Sequence, residues 1–351
     1  MTTLPPPRRA DWRDLVLYQL PETPVAVDLS DNTSRFGVPP AALAVLRDPD
    51  PESIARYPSG YGEPLKQALA AYAGVTPGQV VTGCGSDDVL DSAVRACARP
   101  GDLVATLAPT FPMPARFARL NGQSVSATPV EPDGTFDPSA LLAGDPAIVY
   151  LCSPNNPTGA RLDPGAVDHV LAHAPGVVIV DEAYAEFCGE TRAAAAPALG
   201  RVLVVRTLSK AFALAGLRVG WATGHEALVR DVELSRGPYT VNALAERAAI
   251  AAVTHDAGWV RERAAEAVAA RERLADGLRA LGLAPLPSAT NFVFVPVADA
   301  PAVAARARTL GLGVRALPAT PRYGDALRMH AAPAAEQDRA LAILKEALAC
   351  A

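Results

Sequence analysis

Lys210 stands in the segment Thr207-Leu208-Ser209-Lys210-Ala211-Phe212, and Arg218 follows in Gly216-Leu217-Arg218-Val219-Gly220. The residues before Lys210 form an apolar run that reads as a strand, so an amine and two hydroxyls arrive together at a strand end. An amine fixed there can form a Schiff base with a carbonyl, while hydroxyl donors and a guanidinium fork suit a phosphate. A surface lysine and an arginine paired with a carboxylate would use the same letters. A second apolar run, Val178-Ile179-Val180, ends in Asp181-Glu182-Ala183-Tyr184. Open α/β sheets bind ligands at such carboxyl ends. A carboxylate there can pair with a protonated pyridine nitrogen, and Tyr184 can hydrogen-bond a ring oxygen. A plain strand-to-helix cap remains the alternative.

Two further segments carry polar groups at turns. In Ser153-Pro154-Asn155-Asn156-Pro157-Thr158-Gly159 the prolines and glycine stiffen a turn, and an asparagine in it can donate to a ring oxygen. In Gly83-Cys84-Gly85-Ser86-Asp87-Asp88 backbone N–H groups at a helix start can bind an anion. An acidic N-cap after a glycine turn explains the second equally well. It lacks the dinucleotide fingerprint and the Gly-Lys-Ser/Thr ending of a phosphate loop.

These segments need a scaffold. Short apolar runs at 79–82, 103–106, 147–151, 177–180, 202–207 and 219–222 read as strands buried on both faces. Helical stretches such as 87–97 and 164–172 lie between them, the pattern of a mostly parallel sheet flanked by helices. The texture changes after Gly224. Residues 241–281 are helical in pattern, with Gly282 as a stop. A strand at 291–297, a helix at 302–310, short strands near Val314 and Leu327, and a helix at 334–348 complete a smaller α+β lobe. The expected organisation is an N-terminal arm (1–35), a large domain (36–240) and a small C-terminal domain (241–351).

Composition excludes several classes. With 32 Lys and Arg against 37 Asp and Glu, the net charge of -5 gives no reason to expect nucleic acid or an anionic membrane as partner. Cys84, Cys97, Cys152, Cys188 and Cys350 are odd in number and never in a C-x-x-C pair, which predicts free thiols and no metal site. No signal peptide is read at the Pro-rich start, and no apolar run reaches the roughly 20 residues that span a bilayer. A cytoplasmic location is the expectation.

With the four segments in this order, the sequence resembles the class I/II, fold-type-I aminotransferases, and among them the histidinol-phosphate aminotransferases. The resemblance runs from about Tyr18 to the last helix and implies pyridoxal 5'-phosphate as cofactor. It implies that Lys210 is the Schiff-base lysine and proton shuttle, that Asp181 pairs with the pyridine nitrogen, and that Tyr184 and Asn156 contact the ring oxygen. Ser86, Asp87, Thr207, Ser209 and Arg218 would surround the phosphate, and Phe111 would stack on the ring. Tyr57 resembles a tyrosine that reaches the phosphate of a neighbouring subunit, which implies a homodimer with composite sites. For substrate, Arg328 matches the arginine that grips a carboxylate, and Arg315 one associated with a distal anion. Tyr18 resembles an arm tyrosine that approaches the substrate, and Asn32 is retained from a substrate-side motif.

The sequence also departs from that pattern. Leu29-Ser30-Asp31-Asn32-Thr33-Ser34-Arg35 keeps only Leu29 and Asn32 of the usual motif, Phe111 replaces a tyrosine, and Arg328 is followed by Met329-His330-Ala331. Pro112 and Pro114 alter the loop beside the ring. The implied reaction passes an amino group from histidinol phosphate to 2-oxoglutarate. An aromatic or specialised-pathway aminotransferase and a threonine-phosphate-type decarboxylase are the alternatives on the same fold, and a non-catalytic metabolite sensor the alternative of another class.

Overall fold

Runs rich in Val and Ile form the strands, because β-branched side chains pack well on a pleated surface covered from both sides. The computed structural model describes residues 24–349, together with Trp12 and Leu17. Its strands in chain order are β1 (Val27–Asp28), β2 (Val80–Cys84), β3 (Leu103–Ala108), β4 (Ser124–Pro129), β5 (Ile148–Cys152), β6 (Val177–Asp181), β7 (Val202–Thr207), β8 (Val219–Thr223), β9 (Phe292–Pro296), β10 (Leu312–Gly313), β11 (Arg315–Thr320) and β12 (Gly324–His330). Seven of them make one sheet in the order β2-β8-β7-β6-β5-β3-β4. All neighbours are parallel except β8, which runs antiparallel to both β2 and β7. The fold is that of the fold-type-I enzymes, a mostly parallel α/β sheet with a smaller α+β lobe.

The central strands alternate their side chains between two cores. Val149, Leu151, Val178, Val180, Val202 and Val204 fill one face, and Ile148, Tyr150, Cys152, Ile179, Leu203 and Val205 the other. Each such Val, Leu or Ile contributes about 1.5–3 kcal/mol through burial, which fixes the register of the strand ends. β4 was not among the expected strands. Its Ser-Val-Ser-Ala-Thr-Pro sequence is half polar because it lies at the sheet edge with only β3 as neighbour.

The small lobe is an antiparallel sheet, β11-β12-β9, beside the parallel pair β1-β10. The helical stretch after residue 241 is two helices, Ala243–His255 and Ala257–Ala280. The expected boundary at residue 240 is not where the cores divide. Ala245, Ala249, Val260 and Ala267 pack into the large-lobe core, and only from Leu274 does the second of these helices face the small-lobe core. Val27 and Leu29, from the segment expected to be an arm, also pack into the small lobe. The chain from Val27 to Leu29 therefore belongs to the small lobe. Among the described residues no helix is long and apolar enough to cross a membrane.

Candidate active site

The carboxyl ends of β5, β6 and β7 lie side by side, with Cys152 paired to Asp181 and Asp181 to Val205. The loops leaving those ends carry Asn156, Tyr184 and Lys210. Because β8 is antiparallel, its amino end reaches the same rim, so Arg218 comes to lie beside the end of β2 and the start of the helix Ser86–Cys97. Two glycines permit this closeness. A Cβ on Gly220 would sit 2.1 Å from the Ser86 nitrogen, and one on Gly85, at φ 82, would sit 2.3 Å from Arg218 Nη2.

A cavity of about 440 Å3 opens at this rim. It gathers Lys210, Asp181, Tyr184, Asn156, Ser86 and Asp87, and equally Thr207, Ser209, Arg218 and Phe111. Asn32, Arg315 and Arg328 close it from the small-lobe side. Tyr57 is not part of it. That ring is 84% exposed and stacks on Tyr239 at 4.9 Å. Tyr18 lies outside the described residues.

The electrostatics are those of a site for an anion with a basic heterocycle. Asp181 is buried, with Tyr150 Oη donating to Oδ2 at 2.8 Å and the Ala183 N–H to Oδ1 at 3.0 Å. Burial pushes its carboxyl up to about 6 despite those bonds, and the nearby acids Asp87 and Glu182 add to the effect. Lys210 is held down at about 8, first by burial and then by Arg328, while Asp31 and Asp87 work against the shift. Nζ donates to the Asp31 carbonyl at 3.1 Å. Lys210 is one of only three lysines in the chain; Lys66 forms a buried ion pair with Glu233, and Lys345 is exposed on the last helix. Asp87 faces Arg218 across 3.8 Å and is itself raised by burial. Tyr184 receives the Asn32 side-chain N–H at 2.9 Å, and burial raises its phenol well above the ordinary range. Arg328 donates to Asn156 Oδ1 at 2.6 Å and to the Ser30 carbonyl at 3.0 Å, with its guanidinium 5.4 Å above Phe292.

Several residues of the site are absent from the sequence reading. Tyr150 looks like one more apolar strand residue, and its hydroxyl matters only because β5 and β6 align it on the face of Asp181. Asn155, beside the expected Asn156, turns inward, donating to the Pro109 carbonyl and to Thr158 Oγ1, each at 2.9 Å. It accepts from Thr110 Oγ1 at 2.8 Å, which ties the Asn156 turn to the Phe111 loop. His330 and Asn291 hold the segment that carries Asn32, with bonds of 3.2 and 3.1 Å.

The residues present fit pyridoxal phosphate. Asp181 has no basic side chain paired with it among the described residues and would take a pyridinium. Among the described residues the Asn156 side chain bonds only through its oxygen, which leaves its N–H groups for a ring oxygen. Arg218, the Ser86 and Ser209 hydroxyls and the helix N-terminus make a phosphate cradle. A parallel sheet with a lysine, a buried acid and this cradle at its carboxyl rim defines a pyridoxal-phosphate enzyme of fold type I. The family model for aminotransferases of class I and II matches residues 24–344, and the chain belongs to that family. It is 36% identical to a protein named histidinol-phosphate aminotransferase from Methylibium petroleiphilum, over 96% of this chain and 93% of that one. Among solved structures it resembles the histidinol-phosphate aminotransferase of Sinorhizobium meliloti in complex with pyridoxal-5'-phosphate, at 28% identity and a TM-score of 0.84, covering 93% of this chain and 92% of that one. N-succinyldiaminopimelate aminotransferase from Mycobacterium tuberculosis is also similar, at 25% identity and a TM-score of 0.80, covering 92% and 93%. The fold thus serves more than one substrate, and the enzyme is a pyridoxal-phosphate-dependent aminotransferase acting on small molecules.

Proposed function

We propose that the chain moves the amino group of histidinol phosphate to 2-oxoglutarate, giving imidazole acetol phosphate and glutamate. One observation carries this reading. Arg315 and Arg328 are direct partners across β11 and β12, and both line the cavity. Like charges directly opposite in a ladder are destabilising, so their placement suits anions that arrive with the substrate. A phosphate and the two carboxylates of glutamate are such anions, and each guanidinium offers a planar fork to them. The names of the relatives favour the same substrate.

Bound pyridoxal phosphate supplies an aldehyde that links to amines and a ring that takes up the electron pair released at the substrate carbon. Lys210 would hold it covalently through Nζ and would carry the proton from the substrate carbon. A lysine held near 8 releases that proton readily at neutral pH. Asp181 keeps the ring nitrogen protonated, and Tyr184 and Asn156 fix the ring oxygen. Ser86, Thr207, Ser209, Arg218 and the Asp87 backbone bind the phosphate, and Phe111 stacks on the ring. The stacked Tyr57 and Tyr239, 84% and 46% exposed, support a homodimer in which Tyr57 serves the partner's site.

A second chamber of about 310 Å3 shares Phe111, Asn156, Arg315 and Arg328 with the first. Pro112, Pro157, Leu317, Pro318 and Pro321 make it apolar. Its hydroxyls are engaged within the protein, Thr110 with Asn155 and Thr320 with the Leu317 carbonyl at 3.0 Å. This lining favours a second reading, an amino acid with an aromatic side chain. Adding a panel of amines to the yellow holoenzyme separates the two, because loss of the absorbance band identifies each amine that gives up its amino group. Conversion by histidinol phosphate but not phenylalanine supports the first reading, and the reverse supports the second. Release of carbon dioxide from an amino acid would replace both with a decarboxylase.

A further inference from the structure

Side chains alternate along a strand, so Leu327 and Met329 of β12 fill the small-lobe core while Arg328 and His330 take the opposite face. Arg328 belongs to the site already described. His330 lines no part of the cavity. Its ring is fully buried, Nδ1 accepts the Asn32 N–H at 3.2 Å, and Nε2 meets no hydrogen-bonding partner among the described residues. A buried polar atom without a partner is costly, and an apolar side chain would avoid that cost. The ring is therefore explained by what Nδ1 holds.

Nδ1 holds one end of a peptide unit whose other end reaches Lys210. The Asp31–Asn32 peptide gives its N–H to His330 and its carbonyl to Lys210 Nζ, which donates at 3.1 Å. Asn32 sits at φ 62, in the left-handed region that side chains other than glycine enter at a cost. Its carbonyl accepts from Asn291 Nδ2 at 3.1 Å, and its own Nδ2 donates to Tyr184 Oη at 2.9 Å. Bonds in such a chain polarise one another, so an acceptor at the N–H strengthens the carbonyl toward Lys210.

We infer that His330 is a positioning residue which, as a neutral ring acceptor, fixes the Asp31–Asn32 peptide and through it governs how Lys210 holds its proton. The segments around Asn32 and His330 touch each other. The ring faces Asp31, with Oδ1 at 3.7 Å, and also Asp28, Lys210 and Arg35; burial, aided by Lys210 and Arg35, outweighs the two acids and pushes it down to about 4. At neutral pH the ring is therefore uncharged, and Nδ1 can accept. Lys210 faces Arg328 and Arg218, which loosen its proton, and Asp31 and Asp87, which retain it.

The inference rests on Lys210 as the cofactor's anchor, and the test keeps the two apart. Full-length protein stripped of cofactor is labelled with acetic anhydride across neutral and alkaline pH, and each lysine peptide is read by mass. His330→Leu should lower the Lys210 midpoint by roughly half to one pH unit, since the ammonium loses part of a hydrogen bond. Lys66 and Lys345 should not move. His330→Asn, whose amide oxygen reaches about where Nδ1 stands, should restore the midpoint. An unshifted His330→Leu overturns the inference, and so does a shift that His330→Asn fails to reverse. If the leucine variant does not fold, nitrogen NMR of labelled histidine in the wild type decides: a buried ring protonated on Nδ1 at neutral pH overturns it, and the Nε2–H tautomer supports it. Borohydride fixing the cofactor on Lys66 or Lys345 would instead remove the anchor reading, whatever the midpoint.

Discussion

The two sides of the cavity are built in different ways. The cofactor side comes from consecutive strand ends of one sheet, where Asp181, Lys210 and Arg218 follow β6, β7 and the turn into β8. The substrate side joins distant segments, with Asn32 bonded to His330 across 298 residues and Arg328 bonded to Asn156 across 172. A rigid sheet fixes the first side by packing alone. The second depends on hydrogen bonds between distant segments, so it tolerates less change in any one of them.

Lys210→Ala should have the largest effect on this contrast. It removes the covalent anchor and the proton carrier together, and turnover should fall by at least about a thousandfold. Borohydride should fix no cofactor in that variant, whereas wild type should be fixed on the Lys210 peptide. Retention of a borohydride-stable link in Lys210→Ala would place the anchor outside the sheet rim.

Asp181→Asn tests the same side through charge. The cofactor should stay bound, while single-turnover rates fall roughly a hundredfold or more, because an amide cannot stabilise a pyridinium. A pH effect accompanies it in protein stripped of cofactor. The folded Asp181 carboxyl stands at about 6, above its ordinary 3.8, so its contribution to stability is full below 3.8 and is lost as pH rises through 6. Relative to Asp181→Asn, wild type should lose up to about 3 kcal/mol across that window and nothing further above it. Urea denaturation at a series of pH values reads this difference, and a flat or rising curve would mean that water or a cation already solvates the carboxylate.

The same contrast explains what was legible in the sequence. Lys210, Asp181, Tyr184, Asn156 and Arg218 sit in short strand-turn segments whose letters announce a strand end, and the cavity gathers all of them. Tyr150 was hidden because its role depends on the register of β5 against β6. His330 and Asn291 were hidden because no local pattern shows that β12 and the turn before β9 meet the chain near Asn32. The edge strand β4 was lost to its polar alternation. The expected boundary at residue 240 was drawn where the long helical stretch begins, whereas the cores divide within the helix Ala257–Ala280.

The substrate side is sharpened by its two arginines, with smaller expected effects. Removing one charge-assisted contact costs about 1.5–3 kcal/mol, or roughly ten- to a hundredfold in binding. Arg328 bridges Asn156 and the Ser30 carbonyl and lies over Phe292, so it is held in place for a carboxylate near the reacting carbon. Arg328→Ala should therefore damage the glutamate half-reaction more than that of histidinol phosphate. Arg328→Lys should recover little, since it keeps the charge but loses the planar fork. Arg315 lines both chambers from the neighbouring strand, and Arg315→Ala should weaken chiefly the substrate's distal anion. Separate half-reaction titrations check all three outcomes. Equal losses in both half-reactions for both variants would mean that the arginines form one undivided anion site, and the division of labour between them would fall.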